Sequence, residues 1–285
     1  MGGTPMTKYI ICLTAIGLLF SLPLSAQQEE RERPRDSFYE RRAVEERTPV
    51  ELPYVREADI LWSKRIWQVI DVREKINQPL YFPEEPTGQY KSLMQVLQEA
   101  ILAGEVRAYG VDDENFQDDP IPPRELFRRF SRTVSFMQDG ETTPTTVTIP
   151  FEPSEVIRWR IKEEWFIDSR RGMLDVRIIG ISPAREVTDD QTGEFLGFEP
   201  LFWVYFPEAR QVLANAPVYN RMNSAQRISF DDFFVRRFFN ATIYREERPD
   251  NRVISEYFED PIDALLEGQR IREMIRNFEM DLWHY

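Results

Sequence analysis

Cysteine and histidine are almost missing from this chain: one Cys, at position 12, and one His, at position 284, in 285 residues. A single Cys rules out a disulfide framework. A single His beside the last residue, where ends fray, argues against a Ser-His-Asp site or a His-ligated zinc, which need a well-held imidazole or several. The 12 glycines are scattered and form no phosphate-cradling loop. Lysine is scarce too. Beyond Lys8 there are only Lys64, Lys75, Lys91 and Lys162, and every other basic residue is Arg. With 36 basic against 49 acidic residues the net charge is −13. The basic footprint that nucleic-acid binding requires is therefore lacking.

An uncharged, mostly apolar run spans Tyr9 to Leu24, preceded by Lys8 and followed by Ser25, Ala26 and Gln27. A basic start, a short apolar stretch, Pro23 and a small residue at Ala26 make a secretory leader, with cleavage expected between Ala26 and Gln27. The run is short for a membrane span of roughly 20 residues, and a retained anchor is the alternative. Cleavage removes Cys12 and one Lys but no acid. The mature chain would carry 35 basic and 49 acidic residues, a net of −14, and no cysteine. Arg grips carboxylates through a rigid two-pronged fork, so an acidic, Arg-dominated chain suits dense ion pairing, within itself or with a neighbour.

Residues 27–56 mix both charges with Pro34, Pro49 and Pro53 and have no apolar period. They predict an extended or disordered arm ahead of a folded region, 57–285. Ala58–Ile76 predicts a helix, with a strand over Arg65–Val72 as the alternative. Ser92–Ala103 is the clearest helix: Leu93, Val96, Leu97, Ala100 and Ile101 recur at the helical period, Ser92 with Gln95 forms a capping box, and Gly104 stops it. Glu105–Val111 alternates like a strand, and Arg124–Arg132 predicts a short helix. Residues 145–206 predict sheet: Thr145–Phe151, a strand bearing Ile157, Trp159 and Ile161, a turn at Asp168–Gly172, Met173–Ile181, and a central strand Leu201–Phe206. Ser229 begins a predicted helix with Phe230, Phe233, Phe234 and Phe238 on one stripe. Asp260-Pro261 opens the last one, with Ile262, Leu265, Leu266, Ile275, Phe278 and Leu282 as its expected apolar stripe. The pattern is α+β, a single domain with a central antiparallel sheet flanked by helices, preceded by the arm.

The densest group of large side chains is Trp62–Pro83, WSKRIWQVIDVREKINQPLYFP. Trp, Tyr and Arg are the usual anchors of protein interfaces. Trp62, Arg65, Trp67, Tyr81 and Phe82 are therefore candidate partner-binding residues, and the same residues also suit a core. Two carboxylate clusters bear on chemistry. Asp112, Asp113, Glu114, Asp118 and Asp119 would suit calcium, but they lack the glycine and terminal Glu spacing of an EF-hand loop. Glu163-Glu164 beside Trp165 resembles a glycosidase pair, yet adjacent strand residues point to opposite faces. A carboxylate-based hydrolase and a carbohydrate-binding module using Trp159, Trp165 and Trp203 are the alternative functions. No metal or cofactor is expected. Asn240-Ala241-Thr242 matches a glycosylation sequon by pattern only.

From Ile60 onward the chain resembles the GldN/PorN family of gliding-motility and type IX secretion proteins of the Bacteroidetes. The resemblance rests on WSKRIWQVIDVREKINQPLYFP, AILAGEVRAYGVDDENF, DSRRGMLDVRIIGISP and FDDFFVRRFFNATIYREE, in that order. It implies a periplasmic, non-catalytic subunit that forms rings under the outer membrane with a GldK/PorK-type lipoprotein. It also implies contact with the periplasmic part of a GldM/PorM-type protein. The family supplies no catalytic residues to carry over.

Overall fold

The computed structural model describes residues 47–136, 145–189, 192–219 and 226–282. The expected leader, its cut between Ala26 and Gln27, the arm up to residue 46, and His284 lie outside the described residues. The described part of the arm, 47–56, has no helix or strand. Its carbonyls are held by side chains: Gln211 Nε2 donates to Arg47 O at 3.4 Å, Arg210 to Val50 O at 2.6 Å and Arg177 to Pro53 O at 3.2 Å.

The frame is a seven-stranded antiparallel sheet. Three long strands make its middle: β1 (Ile60–Asp71), β5 (Val156–Asp168) and β6 (Met173–Thr188). The strand order is β11-β1-β5-β6-β8-β2, with β7 also pairing β6. Here β2 is Ala108–Tyr109, β7 Phe195–Pro200, β8 Trp203–Tyr205 and β11 Thr242–Glu246. Two short ribbons stand apart: β3 (Arg132–Phe136) with β4 (Thr145–Ile149), and β9 (Pro217–Val218) with β10 (Ile228–Ser229). The helices are α1 (Leu93–Ala103), α2 (Pro123–Phe130), α3 (Phe206–Asn215), α4 (Phe230–Val235) and α5 (Pro261–Leu282).

Side chains alternate across a strand, so Ile66 and Ile70 share a face with Trp159, Ile161 and Trp165. That face is buried in two clusters. The larger joins Ile70, Trp159 and Ile161 to Leu97 of α1, Leu213 of α3 and Phe230 and Phe234 of α4. The smaller joins Ile66 and Trp165 to Ile271 and Ile275 of α5. Helix α5 comes very close to β11 at Gly268. A Cβ there would lie 2.5 Å from Ile243 O, so only glycine lets the helix settle onto the strand backbone.

The other face is covered by the loop 111–118 instead of a helix. Phe116 packs edge-on against Tyr109 and Tyr205, both at 5.2 Å between ring centroids. Gly180 lies beneath it, and a Cβ at that position would be 2.7 Å from the Phe116 ring. Trp67, Tyr109 and Trp203 form the small cluster on this side.

Several expectations need correction. Ala58–Ile76 is not a helix; Ile60–Asp71 is strand β1. Its residues 66–68 are all buried, because both faces of the sheet are covered there. The alternation that marks a strand is thereby erased from the sequence. The strand expected over Leu201–Phe206 is only Trp203–Tyr205, and Phe206 with Pro207 opens helix α3, which the sequence reading missed. The Phe-rich helix stops at Val235. Arg237 takes a left-handed φ of 55°, Phe238 points outward at 40% exposure, and the sequon Asn240 leads into strand β11, not along a helix. The expected strand Glu105–Val111 shrinks to Ala108–Tyr109.

Candidate functional site

The five candidate anchors do not form one patch. Trp62 is half-buried near the start of β1, and Phe278 of α5 packs against it at 5.6 Å. Arg65 is exposed, and its backbone N–H donates to Glu247 at 3.2 Å. Tyr81 and Phe82 lie in the turn beyond the far end of the same strand, packed edge-on at 5.0 Å. Tyr81 is half-buried against the main core and Phe82 is 44% exposed. Burial raises the Tyr81 phenol above its ordinary pKa, and Glu84 adds to the rise. At about 3.3 Å per residue, the stretch of β1 from Trp62 to Asp71 that lies between them in the chain is roughly 30 Å long.

Trp67 is withdrawn from any contact surface, being 4% exposed. Its indole N–H donates to Glu114 at 3.1 Å and the Arg245 guanidinium stacks 3.9 Å from the ring centroid. Glu114 also pairs with Arg245 directly. Lys162 reaches up from β5 to donate to Glu114 O at 2.9 Å and Asn115 Oδ1 at 2.8 Å. Burial lowers the Lys162 pKa, Arg65 and Arg245 lower it further, and Glu114 opposes them. The acidic loop is thus an internal clamp. Asp113 completes it by accepting the N–H groups of Gln117 at 2.9 Å and Asp118 at 3.0 Å. Among the described residues no three His, Cys, Asp or Glu side chains come together as a metal site.

The residues of the alternative functions are also occupied. Glu163 has 0% side-chain exposure and accepts from Gln68 at 2.5 Å, Trp165 at 2.9 Å and Arg237 at 2.6 Å. Glu164 is on the opposite face, across from Arg65 and Arg177, so the two carboxylates do not converge. Trp159, Trp165 and Trp203 are 1%, 9% and 3% exposed. They are core side chains and offer no platform to a sugar.

Six of the large apolar side chains exposed among the described residues lie on α5. Ile262, Leu265 and Leu266 are 65%, 44% and 53% exposed. At about 100° per residue, Ile262 points roughly 180° away from Ile271, which is buried. The helix therefore carries two apolar faces. The expected single stripe placed Ile262, Leu265 and Leu266 with Ile275, and the structure exposes the first three and buries Ile275. Angular spacing was the signal in the sequence that separates them. Ile262, Leu265 and Leu266 at i, i+3 and i+4 make one outward patch, bordered by the exposed acids Glu259, Asp260 and Asp263. Farther along, Met274 and Phe278 are exposed, and Phe278 packs against Trp62. Among the described residues no helix is long and apolar enough to cross a membrane.

An α+β body whose buried carboxylates Glu163 and Asp231 are paired with Arg237 and Arg210, and whose outer helix carries exposed aliphatic side chains, has the character of an assembly module. The model of the GldN family, gliding motility associated protein GldN, matches residues 55–284. The chain belongs to the GldN family. Membership makes it a component of the gliding-motility and type IX secretion machinery. No curated protein matches the chain.

Proposed function

We propose that the chain is a non-catalytic structural subunit of this machinery, exported to the periplasm after loss of residues 1–26. It builds an outer-membrane-associated ring with a GldK/PorK-type lipoprotein and contacts a GldM/PorM-type periplasmic protein. The observation that carries the reading is the outward face of α5. Three large aliphatic side chains stand in solvent on a helix whose opposite face already fills its share of the core. Contiguous exposed apolar groups with a polar rim mark interaction sites. Trp62, Arg65, Phe82 and Tyr81 remain candidate contacts on the same body; Trp67 serves the fold.

The test is co-purification from envelope extract. Wild type should recover stoichiometric envelope partners. Leu265→Asp should lose them while its Tm stays within about 2 °C, because a substitution at an exposed position costs little stability. Arg65→Glu is a second variant with an exposed side chain. If both variants fold and bind as wild type does, neither α5 nor the start of β1 is the contact. Recovery of glycan binding or hydrolysis with no protein partners would reverse the proposal.

A further inference from the structure

From Val253 to Gln269 the chain carries five acids, Glu256, Glu259, Asp260, Asp263 and Glu267, and no Lys or Arg. This stretch sets the charge around the outward patch of α5. Asp260 caps the helix by accepting the Ile262 N–H at 2.8 Å, and Glu267 pairs with Arg270 at 3.4 Å. Glu259 and Asp263 are exposed, and among the described residues neither has a hydrogen bond or an ion pair. Their charge is left to solvent or to whatever covers the patch.

The patch has a definite shape. Ile262, Leu265 and Leu266 form a ridge. At about 100° per residue Gln269 and then Glu273 continue its line, so the ridge turns polar after about 10 Å, or two helical turns. Asp263 lies about 60° around the helix from Leu266 and flanks the ridge. Glu259 and Asp260 close its N-terminal end. The core beneath makes no use of these side chains. Gly268 seats the helix on Ile243, and Ile271 and Ile275 fill the opposite face.

We infer that this ridge receives a short amphipathic helix of a partner protein, with an apolar stripe about two turns long flanked by Lys or Arg. The occupant is a helix because a helix satisfies its own backbone. An extended segment laid on aliphatic side chains would leave its N–H and C=O groups unpaired. Helices seat ridges at i, i+3 and i+4 in one another's grooves. The flanks are basic because Glu259 and Asp263 must keep a charge-assisted partner when water is displaced. A second copy of this face would set five acids and no base against their like. The inference rests on the assembly reading for the origin of the partner, and on α5 for its chemistry.

The probes are labelled, end-blocked helical peptides of about 18 residues in an alanine background. One has a Leu stripe flanked by Lys, a second the same stripe flanked by Glu, and a third keeps the Lys but carries Ser in place of Leu. Each is titrated into the full chain and followed by fluorescence anisotropy. The Leu–Lys peptide should bind at least about tenfold tighter than either of the others. Asp263→Lys, and Glu259→Lys ahead of the helix, should each shift preference toward the Leu–Glu peptide. Leu265→Ser should weaken Leu–Lys binding by about tenfold. Glu105→Lys reverses an exposed acid elsewhere on the chain and should change nothing. Circular dichroism verifies that each variant is folded. The inference is overturned by absent binding of the Leu–Lys peptide or by equal binding of the three peptides. It is equally overturned if the folded Glu259→Lys chain binds as wild type does, or if Glu105→Lys weakens binding as much. A wild-type chain that binds the Leu–Lys peptide but recovers no envelope proteins would sink the assembly reading and leave the preference of α5 standing. Envelope partners retained by both Asp263→Lys and Glu259→Lys would refute a basic partner helix and leave the assembly reading intact.

Discussion

Glu163 is the side chain whose removal should cost most per atom. Its carboxylate is fully buried and accepts from three partners: Gln68, Trp165 and Arg237. Glu163→Ala would leave the Arg237 guanidinium without its carboxylate and two buried donors without an acceptor. Breaking a buried ion pair from one side costs about 3–5 kcal/mol. Arg237 is 34% exposed, so water recovers part of its hydration and the low end, about 3 kcal/mol, applies. For a chain of this size that is a fall in Tm of about 6–12 °C. Thermal unfolding by circular dichroism measures it. A double-mutant cycle with Arg237→Ala separates coupling from packing, and the double variant should lose about 1 kcal/mol or more less than the two single losses together. A Tm drop below about 2 °C, or additive losses, would refute the view that this carboxylate locks the sheet to the turn after α4.

Two further outcomes follow from the same geometry. Burial pushes the Asp71 carboxyl up, but bonds from Arg73 and Arg158 prevail and hold it at about 2. A folded value below the unfolded one, about 3.9, stabilises above about pH 4 and is lost as pH falls from there toward about 2. The full linkage is about 2.5 kcal/mol, cut to about 1 because Arg73 is 56% exposed. Urea unfolding at pH 7, 4 and 3 should show Asp71→Asn less stable than wild type at pH 7, with the gap cut to about half at pH 3; parallel curves would contradict this. Excess EDTA should leave the Tm unchanged, since Asp113 and Glu114 already hold partners within the chain, whereas a clear drop would return the loop 112–119 to consideration as a calcium site.

Local chemistry made some elements legible. Ser92 and Gln95 form both bonds of the capping box, and Gly104 ends α1 in the left-handed conformation at φ 78°. These features depend only on residues three or four apart, so the sequence carries them in full. The turn between β5 and β6 closes where Asp168–Gly172 predicts it, with the Gly172 N–H bonded to Asp168 O at 2.8 Å. Family membership was legible too, because its motifs are strings of adjacent residues.

The tertiary structure decided the rest. Whether Ile66–Gln68 belonged to a helix or a strand turned on burial of both sheet faces, one by α5 and one by the loop 111–118. Nothing nearby in sequence announces that loop as a cover. Trp67 became core, not contact, because Glu114 and Arg245, far away along the chain, close over it. Ile262 and Ile271 are equally apolar, and only the position of β11 exposes one and buries the other. Local propensity specifies an element, whereas the choice between interior and surface is made by whatever the chain brings to its opposite side.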